Sequence, residues 1–386
     1  MVLHPGLKQR PIYLDYNATT PVDPRVVEAM LPYLTHHFGN PSSAHAYASA
    51  TREGMALGRE QVSDLLACQP DEIIFTGCGS ESDLLALRGV ALARRGHGNH
   101  IITQVTEHPA VINTCNALSR LYGCRVTYLP VDDYGRVQPA DVEAAITPQT
   151  ILISIMHANN ETGTIQPIPE IAHIAQRHSI LFHTDASQSV GKIPTRVSEL
   201  GVDLLTVAGH KLYAPKGIGA LYVRRGIVLE PALYGGGQEQ GRRAGTENVA
   251  FMVALGAAAA LAQEQLVSSQ ERTRQLRDLL QDRLEQQLPG RISLNGHPTQ
   301  RLPNTLNISI SGCIGEELLA SIPGLASSTG SACHEGSTEP SPVLMAMGLA
   351  RERALAALRL TLGRWSNRDE IEQAAAWISQ ATSATA

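Results

Sequence analysis

The sequence predicts an α/β protein, with a mainly parallel seven-stranded sheet in a large unit and a smaller α+β unit at the C-terminal end. Three observations carry this prediction. Between residues 70 and 225, seven short runs rich in Ile, Leu and Val alternate with helix-like stretches. The runs lack a polar face, as strands covered on both sides do. After Gly245 the texture changes to a long Ala-rich and then charged stretch, followed by short strands mixed with helices.

The seven runs are residues 73–76, 100–105, 125–130, 150–156, 180–185, 203–208 and 219–223. Each has the length of an ordinary strand. Residues 81–94 and 168–178, between them, carry apolar side chains at helical spacing. Strands that alternate with helices give a parallel sheet, because the helix returns the chain to its starting edge. Residues 248–288 read as one long helix or a helix pair, with charges that form a solvated face. Residues 292–294, 306–310 and 358–362 read as strands, and 369–382 as a helix. The expected division is 15–260 and 261–386, with residues 1–14 packing on the second unit.

Composition excludes several classes. Of the 386 residues, 43% are hydrophobic and 17% charged, an ordinary globular mixture. A net charge of −5 gives no attraction to nucleic acid or to an anionic membrane. The longest apolar run, 249–262, falls short of the ~20 residues that span a bilayer. The start, MVLHPGLKQRPIYLDY, lacks the apolar stretch of a secretion signal. A soluble cytoplasmic protein is the expectation. The six cysteines are dispersed, with no C-x-x-C pair, so neither a disulfide scaffold nor a zinc site is expected, and no metal is assigned.

The polar residues gather at one end of the predicted sheet. Run 73–76 leads into GCGSESD, 100–105 into Thr106, Glu107 and His108, and 150–156 into HANNETG. Run 180–185 ends on Asp185 with Gln188 beyond, and 203–208 leads into Gly209, His210 and Lys211. Ligands of open α/β sheets collect beyond the carboxyl ends of strands, so five such endings describe one site.

A lone lysine is ordinarily a surface residue. Lys211 instead sits between two apolar strands, where desolvation depresses its pKa and makes it a Schiff-base candidate. Lys216, in a Pro/Gly turn, is the decoy. Asp185 either caps the next helix or keeps the ring nitrogen of pyridoxal phosphate protonated, the state in which that cofactor draws electrons. Gly77-Cys78-Gly79-Ser80 precedes a helix and can cradle a phosphate on free N–H groups. Cys333 lies in a Gly/Ser-rich loop, SSTGSACHEGSTEPSP, where packing does not explain it. Its thiolate fraction is a strong nucleophile, and the neighbouring His334 either raises that fraction or is incidental.

These residues resemble the cysteine desulfurase family, within the class V aminotransferase-like enzymes. The motifs are YLDYNATTP at 13–21, FGNPSSAH at 38–45, TEH at 106–108, NNETG at 159–163, TDASQSVGK at 184–192, GHKLYAPKGIGALYVRRG at 209–226, AGTEN at 244–248 and GSACHEGSTEPS at 330–341. They follow the family's order over nearly the whole chain. The resemblance implies an aspartate-aminotransferase-like fold (fold type I) that works as a homodimer with pyridoxal 5'-phosphate. It implies that Lys211 carries the cofactor, Asp185 pairs its ring nitrogen, His108 stacks on the ring and shuttles protons, and Gln188 binds the ring hydroxyl. Gly79, Ser80 and His210 would hold the phosphate, with Thr246 reaching in from the other subunit. Asn160 and Arg359 would hold the substrate carboxylate, and Cys333 would accept sulfur.

Three departures accompany the resemblance. Ala208 stands where the family often has Ser, which removes one hydrogen bond from the phosphate site. Leu84 stands where it commonly has Asn. The text around Cys333 matches the long-loop desulfurases but is also similar to that of selenocysteine lyases. The expected activity is removal of sulfur from L-cysteine to give L-alanine and a persulfide on Cys333. A selenocysteine lyase and a class V aminotransferase are the alternatives, and a sulfur carrier on a retired enzyme fold is disfavoured by the intact Lys211, Asp185 and His108. An iron–sulfur scaffold protein, a tRNA-thiolation relay and a thiocofactor pathway all fit as sulfur recipients.

Overall fold

The computed structural model describes residues 3–330 and 339–384. In chain order the strands are β1 (Ile12–Tyr13), β2 (Ile73–Thr76), β3 (His100–Gln104), β4 (Arg125–Leu129), β5 (Thr150–Ser154) and β6 (Leu181–Asp185). They continue with β7 (Leu204–Ala208), β8 (Gly219–Val223), β9 (Ile292–Leu294), β10 (Thr305–Ile310), β11 (Leu325–Ala326) and β12 (Ala357–Thr361). Strands β2 to β8 form the seven-stranded sheet, in the order β2-β8-β7-β6-β5-β3-β4. Strands β3 to β7 run parallel, and β8 is antiparallel to both neighbours, β2 and β7. The β7–β8 connection, residues 209–218, is shorter than the dozen or so residues that a parallel crossover needs. Strand β8 therefore returns in the opposite direction.

Alternation along the strands buries both faces of this sheet except at the edge strand β4, where Leu129 alone is buried. Ile101, Leu152, Leu181, Leu204 and Leu221 enter one apolar cluster, while Ile102, Ile153, Phe182, Leu205 and Ala220 enter another. A second sheet, β12-β10-β9, is antiparallel, and its Leu306, Ile308, Ile310, Leu358 and Leu360 pack with Leu280, Leu284, Ile371 and Ile378. Strand β1 pairs in parallel with β11, and Leu14 joins this same cluster.

Residues 249–287 form one helix of 39 residues rather than a pair, since no proline interrupts it. Its window of greatest apolarity is long enough to cross a membrane by length and composition, and 56% of that window is buried inside the protein. Its first half packs on the helices Pro24–Thr35 and Ala48–Leu66, and the helix also meets Arg368–Ala384. The tightest approach is between two glycines, where a Cβ on Gly256 would stand 2.5 Å from the Cα of Gly58. A mid-helix glycine costs about 1 kcal/mol of helix stability, so close packing must offset it here. Gly256→Leu is expected to force the helices apart and to lower the urea midpoint by the equivalent of about 1–3 kcal/mol. An unchanged midpoint would show that the two glycines are not in close contact.

Candidate active site

The carboxyl ends of β2, β3, β5, β6 and β7 converge on a cavity of about 250 Å³. Its lining includes Asn17, Cys78, Gly79, Ser80, Asp83, His108, Asn160, Asp185, Gln188, Ala208, His210, Lys211 and Arg359. Most of the residues singled out in the sequence therefore meet at one place. Thr246 is exposed and is not part of this lining, and Cys333 and His334 lie outside the described residues. Leu84 is 36% exposed and is also absent from the lining, so its departure from the family pattern does not alter the cavity wall.

Lys211 occupies the short 3-10 turn directly after β7. Its Nζ donates to the main-chain carbonyls of Asn17 (2.5 Å) and Ala18 (2.7 Å). Asp185, the last residue of β6, is buried, and its Oδ1 accepts from the Ser187 N–H at 2.9 Å. His108 caps the helix Pro109–Tyr122, with Nδ1 accepting from the Ala110 N–H at 3.1 Å. That bond fixes the tautomer, because an accepting Nδ1 leaves the proton of a neutral ring on Nε2. Burial pulls the His108 pKa below the ordinary imidazole value, which Asp185 opposes and Lys211 reinforces.

Gly79 and Ser80 open the helix Gly79–Ala93, whose first turn receives no bond from the side chain of its N-cap, Cys78. Uncapped N–H groups and the helix dipole make this end an anion site. Gly79 is tightly enclosed, since a Cβ there would lie 3.0 Å from the Ala208 Cβ and 3.2 Å from the Ser187 Oγ. The Ser187 hydroxyl thus stands beside the position where Ala208 lacks one. His210 Nδ1 pairs with Thr19 Oγ1 at 3.1 Å, and burial, followed by the Lys211 charge, pulls its pKa down to about 4. Its ring is neutral at physiological pH.

At the opposite wall, Arg359 projects from β12 and is 1% exposed. It donates to Asp15 Oδ1 (2.8 Å) and to the Asn160 carbonyl (3.3 Å), while its Nε has no partner among the described residues. A buried guanidinium with an unused donor suits a carboxylate ligand. Behind the cavity, His183 is fully buried between Ser154 Oγ (2.9 Å) and Thr206 Oγ1 (3.1 Å), and burial pulls its pKa down to about 4. Asp83 stands 3.7 Å from His183, its carboxyl pushed well above the usual range by burial and by the charge of Asp185.

Sequence reasoning missed Asn17, Asp83 and Ser187, all of which line the cavity. Asn17 sits in the quoted YLDYNATTP motif, but an Asn between Tyr and Ala is an ordinary turn residue. Asp83 lies one helical turn after Gly79, so its placement in the helix was the available signal.

Sheet order, cavity and lysine together define the fold-type-I scaffold of pyridoxal-phosphate enzymes. The aminotransferase class-V pattern matches residues 12–374. A cysteine desulfurase IscS of Methanosarcina thermophila is 48% identical over 368 residues, 95% of this chain and 90% of the relative. A solved NifS-like protein superposes with a TM-score of 0.90 at 36% identity, over 96% of this chain and 98% of the other. A structure titled SspA in complex with cysteine gives 0.81 at 38% identity, over 92% and 99%. The chain belongs to the aminotransferase class-V family and, within it, to the cysteine desulfurases.

Glu107, beside His108, offers a test of the electrostatics. Its Oε1 accepts from the Met156 N–H at 2.6 Å, and burial pushes its carboxyl well above the usual range against the opposing pull of that bond and of Gln104. A carboxyl whose pKa is raised by folding contributes stability at low pH, and loses it as pH rises from the unfolded value toward the folded one. Glu107→Gln is therefore expected to be more stable relative to the parent at pH 8 than at pH 5, measured by urea unfolding at both. A difference that stays constant with pH would contradict a raised Glu107 pKa.

Proposed function

We propose that this chain is a pyridoxal-phosphate-dependent cysteine desulfurase that takes sulfur from L-cysteine, releases L-alanine and carries the sulfur as a persulfide on Cys333. The observation that carries this reading is the convergence of Lys211, Asp185, His108 and Arg359 on one cavity whose far end is an uncapped helix N-terminus. Membership among the cysteine desulfurases supports it, as does likeness to a structure titled as a complex with cysteine.

The residues present fit the cofactor. The N–H groups of Gly79 and Ser80, with Ser187 and His210, would hold its phosphate. Asp185 would pair its ring nitrogen, Gln188 its ring hydroxyl, and Lys211 its aldehyde. When bound, the cofactor supplies an electron sink for the pair left on the substrate Cα after proton loss.

The chain's own groups do the rest. Arg359, with Asn160, orients the substrate carboxylate, and its burial strengthens that charge pairing. Lys211 Nζ takes the Cα proton and returns it. His108 is neutral, with Nε2–H as a hydrogen-bond donor, and to take the proton of the incoming thiol its Nδ1 must give up its bond to the Ala110 N–H. The Cys333 thiolate attacks the substrate sulfur and forms an S–S bond. The Cβ–S bond breaks, its electron pair stays with the carbon fragment, and protonation of that fragment gives alanine. Substrate cysteine and enzyme thiol thus become alanine and enzyme persulfide, with no outside oxidant.

We further propose a cytoplasmic homodimer in which Thr246, exposed on this chain, completes the partner's phosphate site. The division at 260/261 falls within the helix Val249–Gln287. The second unit would include residues 1–14, in keeping with the β1–β11 pairing. The persulfide would pass to an acceptor such as an iron–sulfur scaffold protein.

The test is the visible spectrum of the purified protein with pyridoxal phosphate, followed by assay of sulfide and alanine after L-cysteine is added with a reductant. Equal amounts of the two products are expected. Lys211→Ala should abolish the visible band and lower turnover by about 10²-fold or more, the scale of a lost general base. Cys333→Ser should keep the band and its response to cysteine but lose sulfide release. A band that responds to cysteine with no sulfide would favour selenocysteine or amino transfer, and no band at all would overturn the reading.

A further inference from the structure

Lys192 is a half-buried lysine that the mechanism leaves without a task. It closes the motif TDASQSVGK, four residues after Gln188. The chain between them winds through consecutive turns, with Ser189 and Val190 bonding to the Ala186 carbonyl and Lys192 to that of Ser189. A spacing of four in such a winding puts both side chains on one side.

Its Nζ donates to Gln188 Oε1 at 2.8 Å and to Asn17 Oδ1 at 2.9 Å. No carboxylate forms an ion pair with it among the described residues. A lysine held by two amide oxygens and no counter-charge is poorly explained as an ion-pair partner, and burial, with the like charges of Lys211 and Arg359, pulls its pKa well down. Even a neutral amine has two N–H groups, so both bonds survive loss of the proton.

Those bonds fix two amides. Asn17 is oriented independently, because its Nδ2 donates to the Asn160 carbonyl (3.2 Å) and to Thr305 Oγ1 (2.9 Å). Gln188 Nε2 donates to the Asn17 carbonyl at 3.0 Å, the same carbonyl that accepts from Lys211 Nζ. With its oxygen turned to Lys192 and one N–H given to Asn17, Gln188 keeps a second N–H to donate to the cavity.

We propose that Lys192 is a positioning residue, which locks the Gln188 carboxamide so that a donor rather than an acceptor faces the cofactor's ring oxygen. The proposal rests on the cofactor assignment above. A donor on that oxygen favours its anionic form and lowers the pH at which the visible band of the loaded protein titrates. The other titratable groups around Lys192 and Gln188 are Lys211, Arg359 and His210, with Asp185, Asp83 and His108 across the cavity.

The test is a spectrophotometric pH titration of the cofactor-loaded protein. Lys192→Met is expected to raise the midpoint of the visible band by about one pH unit, the scale of one net hydrogen bond. Lys192→Arg, which keeps the donors, should stay near the parent. In a Gln188→Leu background, Lys192→Met should move the midpoint no further, the non-additivity of two residues acting as one unit. Unfolding midpoints of each variant identify any that fail to fold, and the arginine variant then carries the comparison. A parent without a visible band would defeat the cofactor reading. A normal parent band whose midpoint is unmoved in Lys192→Met, or moved equally with and without Gln188, would overturn this proposal alone.

Discussion

The main-chain carbonyl of Asn17 accepts from both Lys211 Nζ and Gln188 Nε2, and much of the cavity is arranged around that shared acceptor. Residue 17 belongs to the N-terminal segment, while Lys211 and Gln188 follow β7 and β6 of the large sheet. The segment is anchored on its other side to the small sheet. The Asn17 N–H donates to Thr361 Oγ1 at 3.0 Å, and its side chain is held by Thr305 and Asn304. Three parts of the chain that are remote in sequence are therefore tied at one point. Arg359 extends the same junction from β12 through Asp15 and the Asn160 carbonyl.

Burial sets the chemistry of the groups gathered there. Carboxyls at Asp83 and Glu107 are pushed up, and imidazoles at His108, His183 and His210 are pulled down. Low effective dielectric disfavours every charge that lacks a partner. The result is a cavity lined by two neutral histidines, His108 and His210, with a third, His183, buried behind it. Cys115, by contrast, lies on the buried face of the helix Pro109–Tyr122 with its thiol pushed up to about 12, an inert packing residue.

Much of this was legible in the sequence because buried strands announce themselves. Short runs rich in Ile, Leu and Val marked the strands, although the edge strand β4 is not buried on both faces as expected, and the polar residues following five of them marked the site. Direction was harder to read, since side-chain pattern carries none. Strand β8 is reversed because its connection is short, and the length of the 209–218 segment was the only sign of it. The helix at 249–287 was ambiguous between one element and two because its apolar and charged halves look different, while its backbone continues unbroken. Lys211, Asp185, His108 and Gln188 could be found from strand ends. Asn17 and Lys192 could not, because their role lies in hydrogen bonds between distant segments, which no local pattern encodes.

The central claim is that the cavity delivers sulfur from cysteine to one particular thiol. Peptide mass mapping after brief exposure of the loaded protein to L-cysteine without reductant tests it directly. One added sulfur atom on the peptide containing Cys333, absent when Lys211 is replaced by Ala, is the predicted result. Sulfur found on Cys78 or another cysteine instead, or on none while alanine accumulates, would contradict the account.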